Sequence, residues 1–346
     1  MNIRQAISRD SDGLIELTAL TPMKGRISLR IDRKPDFFAL LNQRGEYFVV
    51  IAEDDQRKIA GSFSAAKQYF MIEDCLRPIF YLGDLKVSPI YIKSTIAYRL
   101  IKAMQEEVRK SGIDLFLCNT SQDNTHVFSF FQGRAGLPIF RETSLFNVYQ
   151  LLPKNYPSND KVSNNCCIER LTGFYNNFFK RYHFYPAISH IDNCINMCWT
   201  ENGKIVASLS LYDPGMLKQH VIIDYPVSIG ITLGLLKTLK GIIGIPYIPS
   251  KGDQLKILYL KYFGMEPGHE KDLFQLIRSA RAFAFTKQFH FVAIAIDQKD
   301  VQLNKIIKPL SSFNFRSHQF IASLGKKEEL VEKIRSNISY EDYSLV

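Results

Sequence analysis

Residues 79–137 constrain the fold more than any other stretch, because they spell out strand, turn, helix, strand and helix in unbroken order. The first strand carries Ile79, Phe80, Tyr81 and Leu82, continues through Gly83-Asp84-Leu85-Lys86-Val87, and stops at Pro89. From Ser94 the apolar residues Ile96, Leu100, Ile101, Met104 and Val108 recur at helical spacing. Glu106 and Lys110 form an i,i+4 pair on that helix, and Gly112 supplies its C-terminal stop. A second strand over 113–119 follows at once, and Asn124 opens a short helix ending in Gly133-Arg134-Ala135-Gly136-Leu137-Pro138.

The flanking segments extend this unit. Residues 3–7 alternate as a strand, and Asp10-Ser11-Asp12 offers N-cap chemistry to a helix through Leu14, Leu17 and Leu20. A helix is expected over 35–41, a hairpin from 47–53 and 59–67, and a closing strand over 146–152. Residues 154–165 are polar, Pro-containing and aperiodic, which reads as a linker between a unit over 1–153 and another over 166–346. In the second unit a strand is expected at 168–171 and an aromatic-rich helix at 173–184. A hairpin closes on Asn202-Gly203, a favoured two-residue turn. After a Gly-, Ile- and Leu-rich insertion at 214–249 come a strand (255–263), a helix (270–286), a strand (289–297) and a charged helix (326–335), with frayed final residues. The two strand–helix–strand units lie about 177 residues apart, an internal duplication of architecture with little residue identity.

Composition limits the class. The chain has 346 residues, 46% hydrophobic and 23% charged, values ordinary for a globular protein with room for two cores. Its most apolar stretch, 227–248, is interrupted by Lys237, Lys240 and several glycines and falls short of a membrane span. The N-terminus lacks the apolar core of a signal peptide, so a cytoplasmic location is expected. Six cysteines (75, 118, 166, 167, 194 and 198) show no disulfide or zinc spacing and are expected to be mostly reduced and buried, with no metal site. The net charge of +10 comes from scattered Lys and Arg, which argues against nucleic acid and suits an anionic cofactor. P-loops, dinucleotide motifs and Ser-centred nucleophile elbows are absent from the sequence.

The order of elements in 79–137 resembles the acyl-CoA-binding half of the GNAT acyltransferase fold. Both halves together resemble bacterial tandem-GNAT proteins of unassigned substrate, on the Tyr81-Leu82-Gly83-Asp84-Leu85 strand, the 133–138 turn and the segment Leu211-Tyr212-Asp213…Lys218-Gln219. The resemblance implies an α+β fold in three αβα layers, with two tandem GNAT-like domains. Each would be a mixed, mostly antiparallel sheet flanked by helices. It also implies a CoA-dependent N-acyltransferase that passes an acetyl group from acetyl-CoA, or another acyl-CoA, directly to a small-molecule or peptide amine.

In such a fold the backbone of Leu85, Lys86 and Val87 would pair with pantetheine. Lys93, Ser94, Thr95, Ile96 and Ala97 would face the pyrophosphate at a helix N-terminus, where free amides and the helix dipole favour anions. Asn124 and Phe131 occupy the family's next cofactor-side positions. Asp84 stands as candidate general base, since an ammonium has no lone pair for attack. Two departures are visible: Ile92 and Thr95 replace the usual Gln/Arg and Gly, and Phe131 replaces the tyrosine that reprotonates the CoA thiolate. Those substitutions leave a second reading open, a degenerate pair that binds without catalysing. In the second half Glu270 and Asp272 at the equivalent helix start would repel a pyrophosphate, so no CoA is expected there. Tyr212, Asp213 and Lys218 are candidates to contact the acceptor, as are loops over 21–33 and 67–77.

Overall fold

A computed structural model describes residues 1–23, 27–124, 127–226, 249–325 and 327–346; the apolar stretch 227–248 lies outside the described residues. Among these, one sheet of thirteen strands runs through the whole molecule, with helices packed on its faces. The first-half strands are β1 (Asn2–Gln5), β3 (Tyr47–Glu53), β4 (Ile59–Ile72), β5 (Cys75–Val87), β6 (Leu115–Ser121) and β7 (Arg141–Leu151). The second half adds β8 (Val162–Ser163), β9 (Phe184–Pro186), β10 (Ile195–Glu201), β11 (Lys204–Tyr212), β14 (Ile257–Met265), β15 (Phe291–Asp297) and β16 (Phe313–Ser323). This is the mixed, mostly antiparallel, helix-flanked sheet expected from the order of elements.

The two halves are joined by an exchange of strands. β16, from the end of the chain, inserts between β6 and β7, and β7 in turn pairs with β15. Each half therefore completes its sheet with a strand supplied by the other. A smaller sheet of β2 (Ser28–Asp32), β12 (Gln219–Asp224) and β13 (Gln254–Leu255) makes a second bridge, pairing Asp32 with Gln219 and Ile31 with His220.

Helices form where the periodicity requires them. α1 (Ser11–Leu20) and the short α2 (Ala39–Arg44) precede α3 (Ile96–Lys110), which buries the five apolar residues read from its spacing against β3, β4 and β5. The single turn α4 (Phe128–Phe131) follows β6. In the second half α5 (Ile168–Phe179) and α6 (Glu270–Thr286) pack on β11 and β14. α7 (Val301–Ile307) and α8 (Glu328–Ser336) flank β16. No described helix is long and apolar enough to cross a membrane.

Several local expectations need correction. Residues 168–171 are helical, because Leu171, Tyr175 and Phe179 form one buried stripe whose period is that of a helix. Residues 67–77 are not a loop: β4 and β5 form one long hairpin through Ile72↔Cys75, and β9 pairs with its far end. Within 21–33, β2 is a paired strand. Four of the six cysteines are free as expected, but Cys75 and Cys167 are exposed, and Cys166 and Cys198 are disulfide-bonded with Cα atoms 6.5 Å apart, because β8 pairs Ser163 with Cys198. The final residues are not frayed, since Tyr340, Glu341, Asp342, Tyr343 and Ser344 are all buried.

Candidate functional site

The site begins where β5 and β6 part. They run parallel and pair only at Phe80↔Phe116 and Tyr81↔Leu117. Beyond Tyr81, β5 keeps its antiparallel partner β4 but has no ladder partner on the β6 side. A wedge thus opens between Leu82–Val87 on one side and Cys118–Ser121 on the other. Its free strand edge leads through Ser88 to the start of α3.

A bulge sits at the mouth of this wedge. The β4–β5 register shifts between Ser62 and Ser64, and Asp84 takes φ of +53°, a left-handed conformation that costs a non-glycine residue on the order of 1–2 kcal/mol. Surrounding contacts hold it there. Ser62 Oγ donates to the Asp84 carbonyl at 3.0 Å, and Ser64 Oγ donates to the Gly83 carbonyl at 2.9 Å and to Asp84 Oδ2 at 3.1 Å. Arg33 Nη2 donates to both carboxylate oxygens of Asp84 at 3.0 Å, and Arg33 is only 4% exposed. Burial alone would raise the Asp84 pKa, but Arg33, Arg44, Lys86 and the Ser64 hydroxyl together pull it below the usual carboxylate value. A carboxylate so held is a weak proton acceptor. Its clearest physical role is to anchor the bulge and Arg33.

The remaining cofactor-side residues split into two sets. Lys86 points inward and donates to Thr21 Oγ1 at 3.1 Å, while Leu85 and Val87 pack on the apolar layer beneath α3. Lys93, Ser94 and Thr95 are exposed at the α3 N-terminus, Ile96 is buried and Ala97 is half-buried. No acid lies in the first turn of α3 and the Thr95 side chain does not cap it; Ile96 N donates to Ser94 Oγ at 3.3 Å, and the exposed Lys93 adds positive charge, so this helix start suits an anion. Asn124 is exposed in the turn after β6. Phe131 stacks on Phe320 at 4.3 Å and leans on Phe140 at 5.3 Å, so it belongs to an aromatic layer under the sheet.

On the opposite face the space before Gly83 is lined by Tyr81, Arg44 and Ser64, all within 3.6 Å of where a β-carbon would stand. Arg44 lies over the Tyr81 ring at 4.2 Å and donates to the Leu345 carbonyl. Asn119 is two positions past the last β6 residue paired with β5 and sits directly opposite Gln319. The segment 340–346 covers this face. Glu341 Oε2 accepts from Gln319 Nε2 at 2.8 Å, and its carboxyl is pushed up to about 8, by burial first and by Asp342 as well. The small bridging sheet adds His220, with Arg33 just after β2 and Lys218 just before β12. Nε and Nη1 of Arg33 and both ring nitrogens of His220 are shielded from solvent without a hydrogen-bond partner.

The three second-half candidates are not brought together. Lys218 is buried beside this centre, where it donates to the Tyr343 and Val346 carbonyls, and burial with repulsion from Arg44 and Arg33 pulls it down to about 7. Tyr212 is buried farther into the second half, beneath Lys261 Nζ at 4.7 Å. Asp213 is exposed and accepts from Gly215 N in a turn. Arg33, Arg44, Asn119, His220 and Glu341 carried no motif. Only the Tyr-Leu-Gly-Asp run pointed toward them.

The second half repeats the wedge. β14 and β15 pair in parallel at Ile257, Leu258 and Tyr259 and then separate, and a bulge at Lys261 interrupts the β11–β14 ladder. Two buried serines back each bulge, Ser62 and Ser64 in the first half, Ser208 and Ser210 in the second. Here, however, the protein fills its own opening. Tyr340 donates to the Lys261 carbonyl and packs on Phe179, Phe263 and Tyr182, while the Tyr175 hydroxyl bonds both serines at 3.0 and 2.9 Å. At the start of α6, His269 and Asp272 are bonded at 2.7 Å and lie near Glu201, so this helix end is acidic where α3 is basic.

Comparison with known proteins agrees with this geometry. Two structures of Saccharomyces cerevisiae N-myristoyltransferase with bound myristoyl-CoA superpose with TM-scores of 0.63 and 0.64 at 11% and 12% identity. They cover 92% and 93% of this chain, and 82% and 79% of theirs. That likeness establishes an N-myristoyltransferase-like fold, consistent with two tandem GNAT-like domains. A probable N-acetyltransferase of Arabidopsis thaliana is 24% identical over 138 residues, 35% of this chain; the chain spans about a third (34%) of that relative. Residues 16–136, the segment that builds the open wedge, match the acetyltransferase (GNAT) family.

Proposed function

We propose that the chain is a CoA-dependent N-acyltransferase that moves an acetyl group directly from acetyl-CoA to an amine. The observation that carries this reading is the early parting of β5 and β6, with a bulge at Asp84 and an acid-free helix start beside exposed Lys93 at the end of the free edge. Pantetheine would run along Leu85–Val87, and the pyrophosphate would meet Lys93 and the first amides of α3. The acyl carbonyl would then lie before Gly83, and the amine would approach from the face that carries Arg44, Tyr81, Asn119 and Lys218. Thiolate is a tolerable leaving group, so Phe131 in place of tyrosine slows the reaction without abolishing it.

Isothermal titration with acetyl-CoA tests the reading. Binding that weakens in Lys93→Glu is expected; no heat at millimolar ligand would remove the enzyme assignment. The second reading, a pair that binds without catalysis, draws on Ile92 being 73% exposed in the turn and on Thr95, whose β-carbon crowds a phosphate approach. Under it, Thr95→Gly with Ile92→Arg raises CoA affinity sharply yet yields no turnover with any amine.

A further inference from the structure

The proposed acyl transfer needs a group that accepts the amine proton, and Asp84, tied to Arg33 through both oxygens, is poorly suited. From the geometry of the opposite face we propose that Glu341 is the proton-transfer residue of this site, and that Asn119, Gln319 and Tyr81 position it. This inference rests on the acyltransferase reading.

Four observations place Glu341 there. It is 4% exposed, and no Lys, Arg or His forms an ion pair with it among the described residues. Its one well-formed hydrogen bond comes from Gln319 Nε2, and Gln319 is oriented by Thr143 Oγ1, which donates to Gln319 Oε1 at 3.1 Å. Gln319 faces Asn119 across the β6–β16 ladder, so the carboxyl it holds lies beside Asn119, two positions past the last β5–β6 pair. Asn119 lies between the Tyr81 hydroxyl and the Glu341 carboxyl and favours the anion of each, yet neither of its amide atoms completes a well-formed hydrogen bond. That leaves polar capacity at the place where an amine would sit.

The groups facing Glu341 explain its readiness to exchange a proton near neutrality. Arg44 from α2 and the Gln319 and Asn119 side chains favour its anion; burial and the neighbouring Asp342 oppose it, and Tyr81, Tyr340 and Tyr343 line the surroundings. In the step itself the amine lone pair forms the new C–N bond at the thioester carbonyl and the C–S bond breaks. The proton lost from nitrogen passes to the Glu341 carboxylate, and Glu341 then returns it to the CoA thiolate.

The experiment follows thiol release from acetyl-CoA with a panel of small primary amines over pH 5 to about 9, alongside acetyl-CoA titration calorimetry. Glu341→Gln is near-isosteric and is expected to bind acetyl-CoA as wild type does, while kcat falls about 100-fold or more and the limb of the pH profile that rises as this carboxyl ionises disappears. Formate should partly restore turnover in Glu341→Ala. Circular dichroism and the unfolding midpoint show whether each variant folds. Should Glu341→Gln misfold, Asn119→Ala takes its place and is expected to shift the limb. Retained kcat with an unchanged profile in the folded variant overturns the proposal, as does loss of the limb in Asp84→Asn alone. Acetyl-CoA binding with no wild-type turnover also overturns it. Failure of acetyl-CoA to bind at all sinks the acyltransferase reading itself, which separates the two failures.

Discussion

The two wedges of this molecule share one backbone plan and face opposite fates. In each, a parallel strand pair separates after a few residues, a bulge interrupts the antiparallel ladder on the other side, and two buried serines back the bulge. The first wedge places Asp84 at the bulge, locks it to Arg33, and ends on a helix start with exposed Lys93. The second places Lys261 there, seals the opening with Tyr340, and ends on a helix start bearing Glu270 and Asp272. Under the proposed function, the difference teaches that backbone geometry alone does not make an acyl-CoA site. The edge must stay unfilled, and the charge at the helix end must suit a phosphate.

The sharpest break in the comparison targets the bulge anchors. Arg33→Leu would strand a buried carboxylate and is expected to cost about 3–5 kcal/mol in urea unfolding. Lys261→Met should cost less, about 1–2 kcal/mol, since the Lys261–Asp342 contact is looser at 3.5 Å and Asp342 keeps hydrogen bonds from Ser344 N and Oγ. Equal losses would mean that the two bulges are held alike.

A pH experiment isolates Glu341. Its folded pKa of about 8 lies above its ordinary value of 4.5, so the folded state binds the extra proton between those limits. Stability should therefore fall as pH rises through that window, by up to about 1.4 kcal/mol per pH unit, and level off above it. Glu341→Gln should flatten this slope in denaturant titrations at pH 5, 6.5 and about 8; an unchanged slope would assign the pH dependence elsewhere.

Loosening the seal of the second wedge, with the aromatic ring kept, is a smaller change. Tyr340→Phe removes the hydroxyl that meets the Lys261 carbonyl and should cost about 1–2 kcal/mol. It should not create CoA binding there, because the acids at the start of α6 remain. Calorimetry that finds two CoA equivalents in this variant would refute the charge argument. The smallest effect concerns the helix ends. Lys93→Glu should weaken acetyl-CoA by about 1 kcal/mol, roughly 5-fold, and Lys271→Glu should leave it unchanged.

Much of the fold was legible before any coordinates. The apolar stripe of α3, the α6 boundaries and the Asn202-Gly203 hairpin turn are set by contacts within a few residues, and all three stand as expected. β16 and β2 were missed because each is a strand only through partners far away in the chain, β6 and β7 for one and β12 for the other. The buried end of the chain was missed for a related reason: Tyr340, Glu341, Asp342 and Tyr343 look polar and terminal, and only the cleft they fill makes them core. At the site, Asp84 was visible in its strand, but a left-handed conformation on a non-glycine residue has no sequence mark, and neither does its partner Arg33, 51 residues away.

By itself, then, the sequence determined the elements whose contacts are local and the order in which they follow, because hydrophobic periodicity and turn chemistry act over one or two turns of chain. The tertiary structure decided the rest: the exchange of β7 and β16, the disulfide between Cys166 and Cys198, and the sealing of one wedge while the other stays open. Those outcomes depend on register and burial between segments from 32 to more than 150 residues apart, where each pairing is favourable only once the others are in place.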